Sequence, residues 1–353
     1  MTKRHISLLV CAAALVGSGV AAAAPVSVPR VLLVHPGESI QAAVNSAHTG
    51  DTVLVLPGTY RESVRVTVPG LTLRGAGRRA TVLEPAAKAS NECAKRGNGI
   101  CVTGTRTTRL TGVTVADLKL TGYSRAGLAA VGADRLTVRD VSSEKNGVWG
   151  FAEERSRRSS YQGDLARDNG DAGIFLANTI TAEQGAVDTQ GTVVAHNRLE
   201  GNRIGVTVRR LRNLTVLGNV VDGNCAGVFL VGDENKPRAG AISVRGNRVT
   251  ANDKYCPKTA RLPFLQGSGI VLTGVEKSQV TGNVVAGNSG TSPLSGGIVL
   301  FKSFVGAPSE HNRVSGNWLS GNAPSDLSDQ EGPGHDNAFD RNSCRFSMPS
   351  GMC

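Results

Sequence analysis

The stretch LTVLGNVVDGN, Leu214 to Asn224, sets apolar side chains at alternate positions and then places two asparagines, Asn219 and Asn224, in one frame. The frame returns in TVVAHNRLEGN (192–202), ISVRGNRVTAN (242–252), SQVTGNVVAGN (278–288) and, more loosely, PSEHNRVSGNWLSGN (308–322). A glycine marker runs in step with it: NGICV (98–102), AGLAA (126–130), WGFAE (149–153), AGIFL (172–176), IGVTV (204–208), AGVFL (226–230), SGIVL (268–272) and GGIVL (296–300). Successive marker glycines lie 28, 23, 23, 32, 22, 42 and 28 residues apart, so the base period is 22 or 23 with insertions.

Two or three short strands with tight turns fit that length, whereas helical repeats need roughly 33 residues or more. Inside each unit the period is 2, since Ile174 and Leu176, Val206 and Val208, and Val228 and Leu230 alternate with other residues. Units of this kind bury their apolar face by stacking in parallel at about 4.8 Å per rung, which predicts a β-solenoid of about nine or ten coils. Each corner then recurs above itself, and an asparagine amide there can donate to one neighbour and accept from the other. The expected ladders are Asn197, Asn219, Asn247, Asn283 and Asn312, and separately Asn202, Asn224, Asn252, Asn288 and Asn317. Asparagine also tolerates the left-handed backbone that a sharp corner requires.

Composition agrees with this reading. Forty-four glycines and 4% aromatic residues among 353 argue for many turns and few bulky anchors, unlike a helical globule. The start, MTKRHISLLVCAAALVGSGVAAAAPVSVPR, has Lys3 and Arg4 before an apolar run and then small residues, which reads as a secretory signal over residues 1–23. Cys11 follows Val10 rather than a small residue, so a lipoprotein anchor is the poorer reading. No later stretch approaches the ~18 apolar residues of a membrane span. The expected product is secreted, extracellular and monomeric, with a single domain over 24–353: cap and first coil at 31–66, repeat coils at 67–322, and a C-terminal tail at 323–353. The net charge of +11 falls by two when the signal leaves. That charge suits an anionic partner such as a uronate polymer, teichoic acid or a membrane surface, or a merely solvated basic surface; nothing points to nucleic acid. Without Cys11 six cysteines remain, an even count that implies disulfides in an exported chain.

The segment ESIQAAVNSAHTGDTVLVLPGTYRESVRV (38–66) resembles the opening of right-handed parallel β-helix proteins of the pectate-lyase-like superfamily. The resemblance covers residues 31–342 and implies an all-β, right-handed parallel β-helix with an N-terminal capping helix, in which Ile40, Ala43, Val44 and Ala47 lie on the first coil. It does not imply one chemistry, because these families differ in activity on one scaffold. In such a coil Cys101 and Cys225 stand about five rungs, on the order of 25 Å, apart, beyond a disulfide's reach. The pairs within reach are Cys93 with Cys101, Cys225 with Cys256 and Cys344 with Cys353.

Aligning the marked strands gives an outward column of Cys101, Ala129, Ala152, Phe175, Thr207, Phe229, Val271 and Val299. Residues two rungs apart are separated by about 9.6 Å, close to two pyranose units. Phe175 and Phe229, with Arg209 and Arg210 beyond them, therefore form a candidate binding stripe for an anionic polysaccharide, unless the insertion DKYCPKTARLPFLQG (253–267) folds over them. The irregular coil at 146–173 puts Glu153 on an inward position where its equivalents are Ala, Val or Leu, so either the strand ends early or the carboxyl has a partner and an altered pKa.

This coil also resembles the catalytic coil of mannuronan C5-epimerases, whose Tyr-Gly-x-Asp-Pro-His pattern supplies proton-transfer groups. The matching residues are Trp149, Gly150, Phe151, Ala152, Glu153 and Glu154; Ala152 replaces the aspartate and Glu154 the histidine, so that mechanism does not carry over intact. The paired aspartates of the fold's glycoside hydrolases are absent, as are the Trp-Ile-Asp-His and Arg-x-Pro-x-x-Arg patterns of pectate lyases. A lyase needs only a base at C5 and a cation to neutralise the uronate. Lys145, Glu153, Glu154, Arg155 and Arg167 are the candidate catalytic residues, with Arg157, Arg158 and Tyr161 nearby. Glu144, Asp164, Asp168 and Asp171 are candidate Ca²⁺ ligands should the chain be a lyase. The expected function is binding of an anionic polysaccharide, with β-elimination or epimerisation as its candidate modifications. The alternative is a non-catalytic surface or matrix module. A third resemblance, to exported β-helix proteins that assist metalloenzyme maturation, has no metal-ligand cluster behind it.

Overall fold

Alternating apolar residues at a 22- to 23-residue period wind the chain into a parallel coil whose successive turns pair edge to edge. The computed structural model describes residues 28–105 and 107–353; the signal reading over 1–23, with Cys11, lies outside them. The described residues form three long parallel sheets of 12, 10 and 11 strands and a two-stranded ribbon, Leu110–Thr111 with Ala133–Asp134. The 11-stranded sheet carries the glycine marker through Asn98–Thr103, Ala126–Val131, Trp149–Glu154, Ala172–Ala177, Ile204–Arg209, Ala226–Val231, Ser268–Thr273 and Gly296–Leu300. Its register is the one expected: Ala152 pairs with Phe175, Phe175 with Thr207, Thr207 with Phe229 and Phe229 with Val271.

The core is the inside of the coil. Leu128, Phe151, Ile174, Val206, Val228, Ile270 and Ile298 stack in one fully buried column. The marker glycines are needed because the next rung leaves no room for a side chain. A Cβ on Gly150 would stand 2.6 Å from the carbonyl oxygen of Gly173, and one on Gly227 would stand 2.6 Å from that of Gly269.

The asparagine ladders exist, with two corrections. One runs Asn197, Asn219, Asn247, Asn283, Asn317 and Asn342, each Nδ2 donating to the next Oδ1 at 2.9–3.0 Å. The other runs Asn146, Asn169, Asn202, Asn224, Asn252, Asn288 and Asn322. Asn317 thus belongs to the first ladder and Asn312 to a third corner, where it bonds Asn337. The final repeat holds three asparagines five apart, and the later pair is the one in register. The left-handed residue is also not the asparagine but its predecessor: Lys145, Asp168 and His196, or glycine at 201, 218, 223, 246, 282 and 287. That position explains the recurring Gly-Asn dipeptide.

At the N-terminal end the helix Ile40–Ser46 buries Ile40 and Val44. Ser39 accepts from the Ala42 amide, and the Glu62 carboxylate accepts from the amides of Ile40 and Gln41 at 2.7 and 3.0 Å, so the orphan donors of the first turn are satisfied. The three disulfides are Cys93–Cys101, Cys225–Cys256 and Cys344–Cys353, with Cα separations of 5.7, 5.9 and 5.1 Å. No helix of the described residues is long and apolar enough to cross a membrane.

Candidate functional site

The two longest coils, the 32- and 42-residue intervals, each extrude a loop on the same side of the glycine-marked sheet. Between these loops lies a cleft of about 790 Å³. Its floor is Trp149, Phe175, Thr207 and Phe229; Ile180 to Glu183 form one wall, and Thr259 to Leu262 the other. The arm at 253–267 does fold over the phenylalanine column, and Phe175 and Phe229 are 7% and 3% exposed. They are the floor of a cleft rather than an open stripe. Trp149 extends that floor by stacking on Phe175 with ring centroids 5.0 Å apart.

Each wall is pinned by an arginine. Arg210, buried, pairs with Glu183 at 3.2 Å and with Asp233, and its Nη1 donates to the Ala182 carbonyl at 3.0 Å. It therefore supports a wall rather than offering a free charge. Arg203 donates to the carbonyls of Pro257 and Pro263 at 2.6 and 3.3 Å, holding the arm that the Cys225–Cys256 bridge also ties down.

Arg209 and Arg261 are different. Nη1 of each lies 3.5 Å from the same Ile180 carbonyl, and neither makes an ion pair among the described residues. Burial, with Arg210 and Arg261 beside it, lowers the pKa of Arg209. Two further groups in the cleft are unsatisfied: the Thr207 hydroxyl and Nε of Arg203 are buried without a partner. Asp171 brings the cleft's sheltered carboxyl, accepting from Trp149 Nε1 at 3.0 Å. Burial raises its pKa against that bond and the Arg203 charge.

The five residues expected to carry chemistry are not brought together. Glu153 points into the coil, 3% exposed, where Tyr161 Oη donates to it at 2.8 Å and burial raises its pKa to about 7. The strand does not end early; the carboxyl has its partner. Glu154 lies on the cleft's sheet two rungs before Arg209, pairing at 3.7 Å with Arg155 at the adjoining corner. Lys145 is an exposed corner residue, and Arg167 lies on the 10-stranded sheet between Glu144 and Glu200. Arg157 and Arg158 both pair with Asp134.

The candidate Ca²⁺ ligands are dispersed too. Glu144 accepts from Lys119 and Arg167, and although burial opposes its charge these bonds and Ser142 hold it at about 2. Asp164 is buried under the first ladder, accepting from the Val141 amide, and Asp168 is exposed. Among the described residues no three of His, Cys, Asp or Glu converge on a metal position.

Arg203 and Arg261 were not singled out from the sequence, and Asp171 was named there only as a candidate Ca²⁺ ligand. A signal existed for two of them. The residue before each marked strand forms its own column (Gly97, Arg125, Val148, Asp171, Arg203, Cys225, Gly267, Ser295), in which the adjacent opposite charges of Asp171 and Arg203 stand out. Arg261 lies in an aperiodic loop and left none.

Residues 62–249 match a family model described as "Right handed beta helix region", and residues 177–345 match one described as "Periplasmic copper-binding protein (NosD)". No curated protein matches the chain. Among solved structures, the chain is similar to the A-module of mannuronan C-5 epimerase AlgE4 from Azotobacter vinelandii, at 17% identity over 86% of this chain and 90% of that one, with a TM-score of 0.58. An alginate lyase from Paenibacillus sp. str. FPU-7 is similar at 18% identity over 88% of this chain and 99% of that one, with a TM-score of 0.53. At such identities the likeness is one of fold.

Proposed function

The chain belongs to the right-handed β-helix family, and we propose that it is an exported member that binds an anionic, uronate-containing polysaccharide in the cleft over Trp149, Phe175 and Phe229. The observation that carries this reading is the unpaired guanidinium couple, Arg209 and Arg261, above an aromatic floor. Two like charges without an ion-pair partner among the described residues, Arg209 half-buried and Arg261 exposed at the cleft's rim, invite an anion from outside. The buried, partnerless hydroxyl of Thr207 sits between the two phenylalanines, where a sugar hydroxyl would complete its bonding. Phe175 and Phe229 are two rungs apart, about 9.6 Å, the reach of about two sugar rings. The fold likeness to a mannuronan C-5 epimerase module and an alginate lyase adds support, and three disulfides fit an oxidising, exported setting.

Arg209→Gln with Arg261→Gln is expected to weaken binding of alginate, hyaluronan or polygalacturonate by at least tenfold, from the loss of charge-assisted hydrogen bonds worth about 1.5–3 kcal/mol each, and to flatten its salt dependence. Affinity electrophoresis or calorimetry, with neutral dextran as control, measures this; equal binding of dextran or an unchanged affinity of the double variant would defeat the reading. Because arginine supplies the neutralising charge, EDTA is expected to leave polymer affinity unchanged, and a Ca²⁺-dependent affinity in the same assay would show that a metal shares the role. Arg210→Ala instead leaves Asp233 buried without its cation and is expected to act on stability.

A further inference from the structure

We propose that Asp171 is the proton-transfer residue of a β-elimination in this cleft, acting on a uronate whose C5 hydrogen and C4 oxygen lie on the same face of the ring, as in manno- and gluco-configured uronates. The inference rests on the binding reading above and adds the reaction and its stereochemistry.

The geometry singles out this carboxyl. Asp171 stands in the turn before Ala172–Ala177, its amide donating to the Val148 carbonyl at 2.6 Å and its Oδ2 accepting from Trp149 Nε1 at 3.0 Å. Trp149 is itself fixed between the Phe175 ring and the Arg125 guanidinium, 5.2 Å from its centroid. The carboxyl is thus held at the Trp149 end of the aromatic floor. The other carboxylate lining the cleft, Glu183, is 73% exposed and bound to Arg210. No histidine, lysine, tyrosine or cysteine is among the residues that line the cleft. Burial raises the proton affinity of Asp171, which favours a group that must take a proton and return it.

One carboxyl restricts the chemistry. Epimerisation takes the C5 proton from one face of the ring and delivers another to the opposite face, which needs two groups. Elimination across opposite faces needs a base on one side and an acid on the other. When H5 and O4 share a face, a single carboxyl serves both steps. The Asp171 carboxylate takes H5 as a proton, and the C5–H electron pair passes through the C6 carboxylate, whose extra charge faces Arg203, the guanidinium one rung from Asp171, while Arg209 and Arg261 hold a uronate further along the cleft. That pair then forms the C4=C5 bond as C4–O4 breaks, and the departing O4 takes the proton back from Asp171. One chain becomes two, the new non-reducing end carries a 4,5-double bond, and the carboxylate is restored without water or a redox partner.

The test offers polymannuronate and hyaluronan beside polygalacturonate and polyguluronate, measures binding to each, and follows the absorbance of the conjugated product. Product is expected from the first pair and not from the second. Asp171→Asn is expected to lose turnover at least 100-fold, within the usual weight of a general acid–base group, while polymer affinity stays within about threefold, which also shows that the variant is folded. Trp149→Phe removes the N–H that stabilises the carboxylate while keeping the stack. The acidic limb of its pH–rate profile, where the carboxyl must lose its proton to act as base, is expected to move up, with Arg203, Arg209, Arg261 and Glu183 still facing the cleft. Binding without product from any polymer overturns this inference and leaves the binding reading standing. Product from galacturonate or guluronate alone, or full activity in Asp171→Asn, overturns the single-carboxyl assignment. Failure to bind any of the four overturns the binding reading itself, and this inference with it.

Discussion

Asn224→Ala is expected to lower the unfolding free energy by about 3–5 kcal/mol, far more than a typical surface change. The Asn224 side chain is fully buried and works in both directions along the coil. Its Oδ1 accepts from the backbone amide and Nδ2 of Asn202 at 2.9 and 3.1 Å, while its Nδ2 donates to the Leu199 carbonyl at 3.0 Å and to Asn252 Oδ1 at 2.8 Å. Truncation leaves two donors of Asn202 and the Leu199 carbonyl buried without partners, each a cost of about 1–3 kcal/mol, in a gap that water cannot easily reach. Gln162→Ala, on an exposed outward position, serves as the control and is expected to stay within about 0.5 kcal/mol. Chemical denaturation of both variants checks the difference; equal midpoints would mean that the amide column contributes little beyond the strand pairing around it.

The second large effect concerns pH. The Glu153 carboxyl lies inside the coil beside Phe151 and Tyr161, and its pKa of about 7 exceeds the usual 4.5 because the charged form is desolvated. A group raised on folding contributes its full stability below the unfolded value and loses it as pH climbs through the folded one. Stability is therefore expected to fall progressively between about pH 4.5 and 7, by about 3 kcal/mol from this residue. Asp164, also raised by burial, adds to the same trend. Glu144, held at about 2, acts in the opposite direction and weakens the fold only in acid. Glu153→Gln keeps an acceptor for the Tyr161 hydroxyl but cannot ionise, and its melting temperature is expected to be flatter across that window. A wild-type melting temperature that rises from pH 5 to 8 would contradict the assignment.

Most of the fold was legible in the chain because its causes are local and repeated. Alternation at period 2 shows which residues face inward, and the interval between marker glycines reports how far the coil advances before it closes. The disulfides followed from the rungs, since Cys101 and Cys225 cannot meet while Cys225 and Cys256 can. Where a signal was less regular the reading slipped: three equally spaced asparagines at 312, 317 and 322 permit two registers, and only the pairing of Arg313–Ser315 with Ala338–Asp340 and of Trp318–Ser320 with Val284–Ala286 decides between them.

The site was less legible for a physical reason. Its floor is periodic, and Phe175, Arg209 and Phe229 were found from their column. Its walls come from the 178–186 and 253–267 insertions, whose course depends on long-range bonds such as Arg203 to Pro257 and Arg210 to Ala182, and no pattern along the chain announces those contacts. Lys145 and Arg167 are close to Glu153 and Glu154 in sequence, yet the coil leaves Lys145 on a corner and carries Arg167 to another sheet.

Each strand of the three long sheets pairs only with the strand of the turn before it and of the turn after it, so backbone cohesion is passed along the axis rather than gathered at one centre. Loosening should then start at the two extremities and travel inward, as a zip opens. Trp149, Phe175, Thr207 and Phe229 occupy four consecutive strands in the middle of an eleven-strand stack, with several turns of padding on either side. The floor of the cleft thus sits where fraying arrives last, and warming would shed the outer turns while the middle of the stack kept its shape.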